Sequence, residues 1–113
     1  EGTTRSSARH HVEELLDLAD PPTALFTAQD MITMTAVSVL QRRGLSETVA
    51  LVGFDDFELA DLLQPGVTVI AQDPRRIGAL AAELALAPIG DGERIHVVPT
   101  QLIQRGSGEI SAY

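Results

Sequence analysis

The sequence predicts an α/β fold, an open parallel sheet assembled from βαβ units. Two observations lead there. Short apolar runs at residues 23–28, 49–54 and 67–71 alternate with longer amphipathic stretches, the order that sets helices against the faces of a parallel sheet. The second run, Val49-Ala-Leu-Val-Gly-Phe54, is apolar throughout, as befits a strand covered on both faces.

The first element is a helix over residues 6–19, where Ala8, Val12, Leu15, Leu16 and Ala19 form one apolar stripe. Pro21 and Pro22 are expected to end it. The run at 23–28 is the first strand, and Asp30 stands where an N-cap would open the next helix, residues 30–43. That helix carries Ile32, Ala36, Val39 and Leu40 on one face, with a second apolar strip of Met31, Met34 and Val37 beside it. Gly44 suits the left-handed position past its end, and Arg42 and Arg43 suit the negative end of its dipole.

Strand 49–54 closes the first βαβ unit and stops at Asp55-Asp56. In such sheets ligands bind beyond the carboxyl ends of the strands. Both Asp30 and Asp55 fall at those ends. A short helical turn is expected over 58–63, then a strand over 67–71. The third helix has a capping Asp73, Pro74 at its first position, and an Ile77, Leu80, Ala81, Leu84 stripe. Pro88 closes it. A Gly90-Asp-Gly92 turn precedes a possible strand at 95–99, a weakly alternating segment at 100–104 and a tail over 106–108 that reads as flexible.

Composition narrows the function. With 113 residues, 44% of them hydrophobic, the chain can build one modest core. No apolar run approaches the roughly 18 residues of a spanning helix, so no membrane partner is expected. The absence of cysteine removes disulfides, thiolate metal sites and a cysteine nucleophile, and is compatible with a cytoplasmic location. All eight basic residues are Arg, which excludes Schiff-base and P-loop lysines. A net charge of -8 opposes direct DNA binding. Ser6-Ser7 lack a nucleophile elbow, and His10 with Glu14 matches no zinc motif. No catalytic residue, metal or cofactor is expected.

The order and spacing of several segments then resemble the C-terminal part of LacI/GalR-type transcriptional regulators. The segments are Pro22-Thr-Ala-Leu-Phe-Thr-Ala-Gln-Asp30, Gly44-Leu45, Val49 to Asp56, Pro65 to Gln72, Gly78, and Leu102-Ile-Gln-Arg-Gly-Ser107. Gln29-Asp30 stands where the family usually has Asn-Asp, and Pro65-Gly-Val-Thr-Val69 departs from its common Pro-x-Leu-Thr-Thr. An aromatic common near the first helix corresponds to about Thr4. The resemblance implies a periplasmic-binding-protein type I-like fold, with residues 1–70 and 100–113 in the C-terminal lobe and 71–99 contributing to the N-terminal lobe. It also implies an operator-reading helix-turn-helix, which these residues do not include.

On that footing the ligand candidates are Asp55, Asp30, Gln29 and Ile77. An ionised carboxylate accepts from two hydroxyls at once, which suits a sugar or related polar metabolite. Asp30 can equally serve only as a helix cap, Asp56 as a turn cap and Ile77 as core. Met31, Met34, Val37, Leu59, Leu62 and Leu63 resemble the family's dimer surface, against the alternative of ordinary core. The function implied is effector sensing and dimerisation, as a homodimer or higher homo-oligomer, in a repressor that reaches operator DNA through its missing head. The alternative is a solute-binding protein of a sugar uptake system.

Overall fold

The computed structural model describes residues 4–88, 90, 92 and 95–112. Its elements are α1 (Arg5–Leu16), β1 (Ala24–Thr27), α2 (Asp30–Arg42), β2 (Ala50–Phe54), β3 (Thr68–Ala71), α3 (Pro74–Leu86), β4 (Gln101–Ile103) and a final 3-10 turn (Ser107–Glu109). The four strands form one sheet in the order β1-β2-β3-β4. The first three are parallel, with Leu25 opposite Leu51 and Gly53 opposite Val69. β4 returns antiparallel, Val69 facing Ile103, so the sheet is mixed where a parallel one was expected.

The core lies between the sheet and the two helices packed on it. α1 contributes Ala8, Val12 and Leu16, and α2 contributes Ala36, Val39 and Leu40. Against them lie Val49, Leu51, Val67 and Val69, with Ala60 closing one end. α1 stops at Leu16, four residues short of the prolines, because the chain turns at Asp17. The Asp17 carboxylate takes two bonds from Arg43, at 2.7 and 3.3 Å. That pair ties the C-terminal end of α1 to the C-terminal end of α2.

Three local expectations need correction. Gln29, not Asp30, occupies the N-cap of α2. Asp30 is the first helical residue, and its carboxylate accepts from the Met31 amide at 2.7 Å. Residues 58–63 form successive turns and not a helix, with Ala60 N–H bonded to Phe57 O and Leu62 N–H to Leu59 O. Residues 95–99 form no strand, and Ile95 and Val97 are exposed.

The tail at 106–108, expected to be flexible, is tied to the sheet, with Ser107 buried. The Ser107 hydroxyl donates to Leu51 O at 2.6 Å and accepts from Thr68 N–H at 2.9 Å. Thr68 answers with its own hydroxyl, which donates to the Glu109 carboxylate and accepts from the Arg105 and Gly108 amides. Gly108 lies so close to Thr68 and Val52 that a Cβ there would stand 2.9 Å from both. This turn covers the Val52 side of the sheet, the face opposite the helices.

α3 behaves differently. Asp73 caps it as expected, accepting from Arg76 N–H at 3.0 Å, and Pro74 opens it. Yet none of its residues is buried. Its stripe residues Ile77 and Leu84 are exposed, as is Leu86. The radius of gyration, 17.5 Å, exceeds the roughly 13 Å of a compact 100-residue domain, in keeping with a helix that lies against little of its own chain. Gly90 and Gly92 both take left-handed backbone, at φ 95 and 91. Asp91 of the expected turn lies outside the described residues.

Candidate functional site

The carboxyl ends of the three parallel strands converge on one open cleft of about 360 Å³. It is lined by Asp30, Asp55, Asp56, Gln72, Pro74 and Ile77. β1 delivers Asp30, since its strand ends at Thr27 and the first turn of α2 follows. β2 delivers Asp55 in the residue after Phe54. β3 delivers Gln72, and the chain then crosses into α3, which supplies Pro74 and Ile77.

Asp55 has a positive φ of 80, the only such non-glycine value among the described residues. Left-handed backbone costs a non-glycine residue energy. It is held here by its own N–H, bonded to Ile70 O at 2.9 Å, and by its carboxylate, which accepts from Gln72 Nε2 at 2.6 Å. Asp56, also in the lining, is held by different partners. Its carboxylate receives both arms of the Arg105 guanidinium, at 2.8 and 3.0 Å, and the Phe57 amide at 2.9 Å. Arg105 lowers the pKa of Asp56, and Asp56 in turn raises that of Arg105.

Of the four ligand candidates, Asp30, Asp55 and Ile77 are brought together, while Gln29 is exposed and lies outside the lining. Gln29 instead serves α2 through its carbonyl, which accepts from Thr33 N–H and the Thr33 hydroxyl. Thr4 caps α1 by accepting from Ser7 N–H. Gln72 and Asp56 were not singled out as ligand contacts. Gln72 follows β3 just as Asp30 and Asp55 follow their strands, so the same strand-end rule points to it.

The interface candidates divide. Val37 and Leu63 pack against the core, and Met31 and Met34 are half-buried. Leu59 and Leu62 are exposed, at 52% and 72%. Val37 of α2 lines the same small gap as Gln64 and Pro65, so helix and turns adjoin. His10 contacts Glu14 at 2.7 Å on the exposed side of α1. Among the described residues no group of three potential metal ligands is present, and no helix is long and apolar enough to cross a membrane.

A model of the periplasmic binding protein-like domain matches residues 1–108. The chain therefore belongs to that family. Over 88 residues it is 40% identical to the HTH-type transcriptional repressor PurR of Aliivibrio salmonicida, covering 76% of this chain and 26% of that protein. A LacI-type regulator of Bacillus cereus subsp. cytotoxis superposes with a TM-score of 0.85 at 25% identity, over 96% of this chain and 40% of that one. A LacI-family regulator of Enterococcus faecium, solved with bound ribose, gives 0.76 at 25% identity over 96% and 41%. Within the family, then, the chain corresponds to part of the effector-binding core of LacI-type regulators. It spans about a quarter of the length of the curated repressor. The curated relative is a transcriptional repressor, and the two solved structures are transcriptional regulators.

Proposed function

We propose that the chain forms part of the sensor of a transcriptional repressor, binding a small polyhydroxylated molecule, a sugar or related metabolite, to control affinity for operator DNA. The observation that carries this reading is the convergence of Asp30, Asp55 and Ile77 on one strand-end cleft. Two carboxylates can each accept from ligand hydroxyls, and Ile77 offers an apolar wall against the carbon skeleton. The ribose held by the Enterococcus regulator is a ligand of that class.

The exposed Leu84 on α3 supports assigning residues 71–99 to the other lobe, whose remainder would cover it, while Ile77 faces the cleft. Residues 4–70 and 100–112 then form the lobe described here. Ligand bound between the lobes favours one lobe arrangement, and a homodimer joined through Met31, Met34, Leu59 and Leu62 transmits that choice to a helix-turn-helix elsewhere in the protein. A repressor of this kind acts in the cytoplasm.

Calorimetric titration of the full-length protein with pentoses and hexoses, D-ribose included, tests the reading. Asp55→Asn should weaken binding ~10- to 100-fold, the worth of a hydrogen bond to a charged group. Unchanged affinity in that variant, or no sugar bound by the unsubstituted protein, overturns it.

A further inference from the structure

Asp56 lines the cleft, but its carboxylate is already taken. We infer that Arg105 is a positioning residue for the ligand cleft, clamping Asp56 so that Asp55 is held in its left-handed conformation. The inference rests on the reading of Asp55 as a ligand contact.

Four observations support it. The guanidinium meets both Asp56 oxygens, at 2.8 and 3.0 Å, the fork geometry that fixes orientation as well as distance. The same Arg105 Nη1 donates to Val67 O at 3.1 Å, and the Arg105 amide donates to the Thr68 hydroxyl at 3.1 Å. Both ends of the residue are thus anchored to the start of β3. Its side chain is only 17% exposed, against 38% for Asp56. Finally, Asp56 is covalently next to the one non-glycine residue with positive φ among those described.

A clamp at Asp56 restricts the backbone of its neighbour, and Asp55 is then held from two sides. The Gln72 amide fixes its carboxylate from the end of β3, while Arg105 fixes the following residue from the segment after β4. Asp61 adds a second negative charge near the guanidinium. Lysine could supply the charge at position 105 but not the fork. The ordering cost of the cleft is met in the folded chain before any ligand arrives.

Amide hydrogen exchange in the full-length protein, without ligand, tests the clamp. Arg105→Gln should speed exchange at the Asp55 amide at least tenfold, with the Leu51 and Val69 amides unchanged. Asp56→Asn should do the same, and the double substitution should add little to either. Arg105→Lys should fall between, and it serves as the probe if the Gln variant does not fold. Unchanged exchange at Asp55, or a rise shared equally by Leu51 and Val69, overturns the proposal, the latter because it marks a purely structural role. D-ribose titration separates the two readings. If the unsubstituted protein binds no ribose or other sugar, the ligand reading fails while the exchange result still decides the clamp.

Discussion

A Cβ built on Gly53 would stand 2.6 Å from the Thr33 hydroxyl oxygen and 2.8 Å from the Thr33 methyl. Thr33 is fully buried where α2 crosses β2, and its hydroxyl donates to Gln29 O while sitting 2.6 Å from the Thr27 hydroxyl. Because Thr33 spends its proton on Gln29, Thr27 is the donor of that pair. The glycine of the Gly53-Phe-Asp-Asp56 segment thus lets the first turn of α2, with Asp30, approach the strand that carries Asp55. Close approach at one backbone position places two carboxylates on the same cleft.

Gly53→Ala should therefore destabilise the fold by about 1–3 kcal/mol, the usual cost of overpacking. Denaturant unfolding measures it. Adding Thr33→Ala should recover part of the loss relative to Thr33→Ala alone, since both obstructing atoms are then gone. Strictly additive effects would contradict the contact.

Ser107→Ala removes a buried hydroxyl that serves two backbone groups, leaving Leu51 O and Thr68 N–H without that partner. A loss of about 1–3 kcal/mol is expected from unsatisfied buried groups. A stability unchanged within 0.3 kcal/mol, roughly the resolution of such comparisons, would show that other partners replace it.

Acid should weaken the structure partly through Asp56 and Asp17. Bonds from Arg105 and Arg43 hold both carboxyls below their ordinary pKa. Their stabilisation is thus complete above the unfolded value, about 3.9, and is lost as pH falls through the lower folded values. Asp56→Asn should flatten the fall of Tm below about pH 4, with a smaller change for the more exposed Asp17. An identical acid limb in Asp56→Asn would rule the pair out as a contributor.

Leu62→Asp tests the proposed dimer surface. In the full-length protein, sedimentation should show the dissociation constant rising at least tenfold, because a charge would enter an apolar contact. A dimer of undiminished affinity would place the interface elsewhere.

Much of this was legible in the sequence because periodicity and caps are local. The run 49–54 gave β2, Gly44 did take left-handed backbone at φ 69, and Asp73-Pro74 opened α3. The strand-end rule points to Asp30 and Asp55, and the structure brings both to one cleft. What escaped depends on pairs far apart in the chain. Arg105 and Asp56 are 49 residues apart, and Ser107 and Leu51 are 56. No periodic pattern encodes such partners. Periodicity marks an apolar stripe on α3 but does not say whether the stripe is covered, and none of the helix is buried.

The Ser107 bridge also bears on how the protein is made. Synthesis runs from the N-terminus, so when β2 and β3 have left the ribosome the Leu51 carbonyl still awaits a hydroxyl encoded 56 residues later. At about 5–20 residues per second, that interval lasts seconds. During it the Val52 side of the nascent sheet stays uncovered and open to chaperones or to neighbouring chains. A message cut short before the codon for Ser107 would leave the Leu51 carbonyl and the Thr68 amide without the hydroxyl that bridges them.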